Sequence, residues 1–281
     1  MMLSMFGFAS MDAMTKFLVR DLPVFQTLWI RYMIFAVFAL LIARPLGIRR
    51  TMRSKRPFMQ AARGVLALVE SFVFVLAFHY LPLAETHAVG AASPLIVIAL
   101  SVPLLREKAG LHRWLAVIVG FVGVMLIIRP GFESISLPLL LPLLGAFLWG
   151  LYQILVRLVS RGDRPETTLL WSAFSGLIVV SCIAPFHWQA PDSLAWLLLI
   201  GVGILGSLSH YALIKALDFA EAGAMQPFSY MLLVWATVMG AIVFGDIPAA
   251  WTILGACLIV ASGLYAWRHD VRTAAGKQEN S

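Results

Sequence analysis

Apolar residues dominate ten stretches of this chain, over 2–19, 25–43, 58–80, 85–105, 112–128, 137–158, 167–186, 193–216, 222–244 and 249–267. A helix needs about 20 mostly apolar residues to cross the hydrocarbon core of a bilayer. Each stretch therefore predicts one membrane-spanning helix. The separators are short and made of turn formers: Asp21-Leu22-Pro23, Arg44-Pro45, Leu81-Pro82, Arg129-Pro130-Gly131, Gly162-Asp163-Arg164-Pro165, Pro191-Asp192 and Gly245-Asp246. None is long enough to hold a soluble domain. The residues after Arg268, His269 to Ser281, read as a disordered tail. The first run contains Asp12 and Lys16 and has no charged segment before it, so it reads as a mature helix rather than a leader.

Composition agrees with the pattern. Hydrophobic residues are 61% of the 281 and charged residues only 12%, against about 45–50% and about 25% in soluble domains. So few charges cannot coat a water-exposed body, and lipid is the solvent that resolves the conflict. The net charge of +7 would raise nucleic-acid binding in a soluble protein. Here sidedness accounts for it. With the N-terminus inside, the cytoplasmic segments hold sixteen of the 21 basic residues, six of them between Arg44 and Arg56. That asymmetry predicts an N-in, C-in chain with an even number of spans and no nucleic-acid partner.

Site chemistry of the common kinds is absent from the sequence. Cys182 and Cys257 lie in apolar runs without paired spacing and read as small buried hydrophobes. The six histidines form no metal-ligand spacing, so no metal and no cofactor is expected. Gly201-Val202-Gly203-Ile204-Leu205-Gly206 matches GxGxxG, but it lies inside a predicted membrane helix. A dinucleotide fingerprint requires a strand before it, and small residues at this spacing instead let helices approach closely.

The most informative feature is an internal repeat. Residues 64–85 and 201–221 are both apolar runs closed by Ala-Glu, at Ala84-Glu85 and Ala220-Glu221. Each is followed by a helix with an early proline, Pro94 or Pro227, then by an acidic turn, Arg106-Glu107-Lys108 or Gly245-Asp246. A Gly/Ala-rich helix closes each copy. Five spans per copy is an odd number, so the second copy enters the membrane from the opposite side. The predicted fold is an all-α membrane protein of ten transmembrane helices in two inverted five-helix repeats, 1–131 and 132–268, with the tail at 269–281. Inverted repeats are an architecture of secondary transporters, with the substrate near the midplane between them.

These residues resemble the drug/metabolite transporter superfamily, and within it the ten-helix EamA type. The likeness rests on Arg31 in the second helix, Ala84-Glu85 with Pro94, the turn at 106–108 and Gly120 with Gly123. The second copy carries Ala220-Glu221, Pro227, Gly245-Asp246 and Gly255 with Gly263. It departs from the family where Asp246 replaces the usual Glu and where Trp171-Ser172 stands in place of an Arg31 counterpart. The resemblance implies a small-molecule substrate, export or exchange, amino acids in one bacterial branch, and a multi-pass protein of a bacterial-type inner membrane.

Candidate substrate contacts follow from the cost of polarity in a span, about 2.5–3.5 kcal/mol for a charge at the helix centre. Glu70 sits near the middle of the third helix, where it would bind a proton or an ammonium group, or else hydrogen-bond a neighbouring helix. His210 lies in the polar cluster Ser207–Tyr211. Phe74, Phe78, Trp149, Tyr152 and Tyr230 are candidates for the wall of a cavity, with Gln153 and His79 beside them, although core packing explains many such aromatics. Gln226, Ser93 and Ser229 offer uncharged hydrogen bonds. Pro94 and Pro227 remove helix hydrogen bonds and are candidate hinges or gates. Asp12 and Lys16 stand four apart and are expected to pair with each other. Arg31 would hold a carboxylate or the fold, and His79 and His87 would flank the outer turn in water.

The expected function is export or exchange of small metabolites, amino acids or related compounds, by alternating access with a central cavity between the repeats. The protein is not expected to be an enzyme. An integral membrane enzyme acting on a lipid-linked substrate would show catalytic groups clustered in loops. A channel or structural subunit is the other alternative, and a channel needs a ring of filter groups.

Overall fold

The computed structural model describes residues 2–105, 110–128, 137–160, 162–219 and 222–278, with side chains except at 137, 217–227 and 270–278. Among the described residues there are ten helical rods and no strand. They are α1 (Met2–Leu18), α2 (Val24–Ala43), α3 (Pro57–Tyr80), α4 (Leu83–Gly90 and Ser93–Leu105) and α5 (Leu111–Ile128). The second set is α6 (Leu140–Ser160), α7 (Pro165–Ser181), α8 (Ser193–Phe219), α9 (Ala222–Met239, prolonged by a π turn, Gly240–Phe244) and α10 (Ala250–Gln278). Among the described residues seven helices are long and apolar enough to cross a membrane, and Phe228–Phe244 is a shorter apolar one.

Proline and glycine set the boundaries. Pro57 and Pro165 occupy the first helical position of α3 and α7, where the missing N–H leaves no bond unmade. Gly245, at φ 69°, ends the π turn in the left-handed region that a residue with a Cβ rarely adopts. Pro94 has a larger effect. It cannot donate to the carbonyl one turn earlier, and α4 breaks into two pieces at Ala91-Ala92. At the C-terminus α10 continues to Gln278, carrying helix into the stretch expected to be a disordered tail.

The outside of the bundle is apolar. Leu111, Leu115, Ile118, Val122 and Met125 line one exposed stripe of α5, while Ala116, Gly120, Gly123, Val124 and Ile127 of the same helix are buried. Exposed apolar side chains on a helix whose other face is also apolar belong in lipid. Both cysteines lie on this outer surface. The expectation that they are buried is corrected, because an apolar run in lipid exposes its small thiols as readily as it buries them.

The packing has approximate two-fold symmetry. α1 packs on α8 and α9, α2 on α7 and α8, α3 on α6 and α7, α4 on α6, and α5 on α10. Adding five to the first-half helices, and subtracting five from the others, exchanges these pairs. Counterparts run antiparallel. A Cβ on Gly120 would meet Ser262, one on Gly123 would meet Ile259, and one on Gly255 would meet Ile127. Likewise Trp29 Nε1 donates to Ser181 Oγ, and Gln26 Nε2, one turn earlier on α2, donates to Gln189 O, past the C-terminus of α7. Gly123 and Gly255 lie so close that a Cβ on either would come within 2.7 Å of the other's carbonyl oxygen. Without water to drive association, helices in a bilayer hold together by such close packing. Gly201, Gly203 and Gly206 of the GxGxxG match serve the same end on α8, facing Met14, Ile34 and Met11.

Candidate functional site

Seven helices surround a central cavity: α1, α2, α3 and α4 from the first half, and α6, α8 and α9 from the second. The space between their side chains, its opening included, is about 890 Å³. Its walls are largely aromatic. Phe8, Phe74, Phe78, Trp149 and Tyr230 line it, and the His210 ring meets Phe8 edge-on at 5.1 Å and Phe35 at 5.6 Å. Phe74 reaches the space because Gly90 and Gly145 leave room for it; a Cβ on Gly145 would touch its ring at 2.6 Å.

Charge is concentrated on the first half. Asp12, Arg31, Glu70 and His87 all line the cavity. Arg31 Nη2 reaches Ser71 Oγ at 3.5 Å, and Ser71 Oγ donates to Glu70 Oε2 at 3.3 Å. His87 Nε2 stands 3.2 Å from Asp12 Oδ2, with the histidine 5% exposed. The second half contributes uncharged groups: Gln153, Ser229, His210 and Tyr230. His87 Nε2, His210 Nδ1 and the Tyr230 hydroxyl are buried without a hydrogen-bond partner among the described residues, and that hydroxyl is packed against Gly263 of α10. Buried polar atoms are nearly always satisfied, so the unpartnered His210 nitrogen in the cavity wall marks a place where a polar ligand is accepted.

Of the residues singled out in the sequence, Glu70, Phe74, Phe78, Pro94, Trp149, Gln153, His210 and Tyr230 come together here. Tyr152 stands one layer back, stacked on Trp149 at 5.2 Å. Its hydroxyl accepts from Arg63 Nη1 at 3.1 Å. His79 lies away from the cavity at the end of α3, with Nδ1 3.1 Å from Val19 O. The side chains of Pro227 and Gln226, and of Glu221, lie outside the described residues, as does the turn at 106–108.

Two pairings differ from expectation. Asp12 and Lys16 do not bind each other: Asp12 meets His87, and Lys16 Nζ donates to Asp246 Oδ2 at 2.9 Å and to Leu81 O at 3.1 Å. Partners on neighbouring helices lie nearer than the next turn of the same helix. His87 was expected in water at the outer turn and is instead buried, because the break before Pro94 turns the first piece of α4 inward. The sequence signal for His87 is that proline, seven residues downstream. Arg31, Asp12 and Ser71 complete the cavity; the sequence leaves Arg31 between a carboxylate and the fold, pairs Asp12 with Lys16 and does not mark Ser71.

Behind the cavity, Arg63 is fully buried. It donates from Nη2 to Thr168 O at 2.7 Å and Ser172 Oγ at 2.8 Å, and from Nε and Nη2 to Gln60 Oε1. Gln60 Nε2 in turn donates to Asp163 Oδ2 at 3.0 Å. The Ser54 hydroxyl and the Lys55 N–H also donate to that carboxylate. Partial burial opposes the charge on Asp163, but these hydrogen bonds outweigh it and hold its carboxyl below the usual aspartate range. This network joins the two halves at the end of the bundle where the chain starts. The Lys16–Asp246 pair joins them at the other end.

A model of the EamA-like transporter family matches residues 1–129 and again residues 136–266. The chain belongs to the EamA-like transporter family. Among its relatives, a riboflavin transporter of Vibrio cholerae is 33% identical over 250 residues, 86% of this chain and 82% of that one. An S-adenosylmethionine uptake transporter of Rickettsia felis is 25% identical over 279 residues, 99% and 95% of the two chains. A crystal structure 18% identical in sequence superposes with a TM-score of 0.67, covering 94% of this chain and 96% of the other, and shares the fold. This EamA-like protein is therefore a multi-pass inner-membrane transporter of a small metabolite, not an enzyme. These relatives do not support the expectation of an amino-acid substrate.

Proposed function

We propose that this protein carries riboflavin, or a metabolite of the same flat heteroaromatic chemistry, across the inner membrane by alternating access. The observation that carries the reading is the aromatic cavity with an unpartnered imidazole nitrogen, His210 Nδ1, in its wall. Riboflavin is a flat three-ring heterocycle with amide-like hydrogen-bonding edges and a polyhydroxylated side chain. Its ring fits between Phe74, Phe78 and Trp149, since stacked or edge-on aromatic contacts contribute about 0.5–1.5 kcal/mol each beyond area burial. Gln153 and His210 would meet the ring edge, and Arg31, Ser71 and Glu70 the hydroxyls. The relative named as a riboflavin transporter supports the choice.

In this reading the halves 1–131 and 132–268 are inverted repeats of five spans, with both termini cytoplasmic as the basic segments require. Each half can take the shape of the other, which gives a route to alternate opening. Pro94, at the break in α4 and on the cavity wall, and Pro227 are the hinges.

A second reading is favoured by one observation. Two carboxylates, Asp12 and Glu70, face a single guanidinium, Arg31, and that balance suits a cation with a flat base such as S-adenosylmethionine. Binding decides between them. Purified protein should quench riboflavin fluorescence saturably, Trp149→Ala should weaken the effect at least tenfold, and S-adenosylmethionine should not compete. Competition by S-adenosylmethionine without quenching would favour the second reading.

A further inference from the structure

We propose that the connection between α2 and α3 is a docking surface for anionic phospholipid, with arginines for the phosphates and apolar side chains for the acyl chains. The connection runs from Arg44 to Arg56. It is a 3-10 turn, Arg44–Leu46, then a single α turn, Ile48–Thr51, then irregular chain up to Pro57. Arg44, Arg49, Arg50, Arg53 and Arg56 are all exposed. Among the described residues none of their guanidinium groups has a hydrogen bond or an ion pair. The carboxylate that the segment does touch, Asp163, is occupied by the Ser54 hydroxyl, the Lys55 N–H and Gln60 Nε2.

A loop bathed in water would account for the charges alone. It would not account for Phe58, 87% exposed in the first turn of α3, or for the exposed Leu46 and Ile48 on either side of Gly47. The spans Val24–Leu46 and Pro57–Tyr80 flank the segment and hold it at the level of the headgroups. There one partner satisfies both features. A lipid phosphate accepts the planar guanidinium fork through two oxygens, and the acyl chains below it cover the ring of Phe58. A free phosphate ester would meet the arginines and leave the apolar side chains in water. Arginine clusters beside a span are drawn to anionic headgroups for the same reason.

The surface is fixed to the rest of the bundle. Trp171 Nε1 of α7 donates to Met52 O at 3.1 Å, and Thr51 is buried, with its hydroxyl on Gly47 O at 3.1 Å. Through Asp163 and Gln60 the segment joins the Arg63 network, which ties the two halves together at this end. Lipid held by the arginines therefore stabilises that junction. The surface is separate from the central cavity and does not depend on which substrate the cavity takes.

The test uses the full-length protein in phosphatidylcholine bilayers that carry a trace of spin-labelled phosphatidylglycerol or spin-labelled phosphatidylcholine. Wild type should immobilise the anionic lipid severalfold more than the zwitterionic one, and added salt should reduce the preference. The combined variant Arg49→Gln, Arg50→Gln, Arg53→Gln should lose most of it. Phe58→Ser should reduce it. A variant with as many charges removed near the C-terminus, Arg268→Gln, Arg272→Gln, Lys277→Gln, should keep it. In detergent, phosphatidylglycerol should raise the melting temperature of wild type and leave that of the Arg49, Arg50, Arg53 variant unchanged, with both proteins melting alike when only phosphatidylcholine is present. A wild type that holds both lipids equally would overturn the proposal, as would a preference that survives in the three-arginine variant or is lost equally in the C-terminal one. Glycerol 3-phosphate that displaces the lipid better than sodium chloride at equal ionic strength would also overturn it, because the site would then be one for free phosphate esters.

Discussion

Lys16 Nζ lies 2.9 Å from Asp246 Oδ2, joining the end of α1 to the turn after α9. The ammonium also sits 4.9 Å from the centre of the Phe244 ring, and the Arg20 guanidinium lies 5.0 Å from it. Helices from opposite halves are thus tied together above the cavity, on the side away from the Arg63 network. A salt bridge placed there has to break whenever the cavity opens at that end.

Asp246→Asn is therefore expected to loosen this closure. In the Cys182→Ser, Cys257→Ser background, a cysteine placed at Ser229 should react severalfold faster with a membrane-impermeant thiol reagent added at that end. Equal reaction rates with and without Asp246→Asn would show that the pair does not restrain opening.

Arg63 should be a determinant of stability. Replacing it by Leu leaves Gln60 Oε1 and the Tyr152 hydroxyl without their donor in a buried site, at about 1–3 kcal/mol each. Arg63→Lys keeps the charge but not the planar fork that serves several acceptors at once, and should recover only part of the loss. Thermal unfolding in detergent measures both. An Arg63→Leu protein as stable as wild type would contradict the account.

Asp163 gives a pH dependence. Its folded-state carboxyl is held below the ordinary aspartate value of about 3.9. The stabilisation is present above that ordinary value and is lost as pH falls through the lower folded one. Asp163→Asn should be less stable than wild type at neutral pH, and the difference should shrink at strongly acidic pH. Melting temperatures across that range check it; a difference that grows on acidification would have the wrong sign.

Close approach of α5 and α10 predicts that Gly123 tolerates no side chain. A Cβ there would lie 2.7 Å from Gly255 O and 2.8 Å from Ile259 Cγ1. Backbone cannot yield as a flexible side chain can, and Gly123→Leu should cost at least the 1–3 kcal/mol or so of ordinary overpacking. A melting temperature unchanged from wild type would sink this.

The rods were legible in the sequence because lipid imposes a length. Apolar runs bounded by proline, as at Pro57 and Pro165, predict α3 and α7 within two residues at their starts. Aromatic cavity residues were legible too, since Phe74, Phe78 and Trp149 sit on helices beside small residues. Side-chain partners were not. Asp12 and Lys16 share a helix face, and only the placement of α4 and of the turn after α9 shows that each has a better partner across a helix boundary. His87 escaped for a related reason: periodicity places it at a helix end, and a break made by Pro94 moves it inward. Tyr152 looks the same in sequence as Trp149, three residues before it, yet one faces the cavity and the other faces Arg63.

Saturable uptake of labelled riboflavin into vesicles holding the purified protein tests the central claim most directly. The account predicts uptake that saturates, that unlabelled riboflavin suppresses, and that falls at least tenfold in Phe74→Ala and Trp149→Ala proteins that melt as wild type does. Uptake no faster than in protein-free vesicles, or uptake that both substitutions leave unchanged, would contradict it.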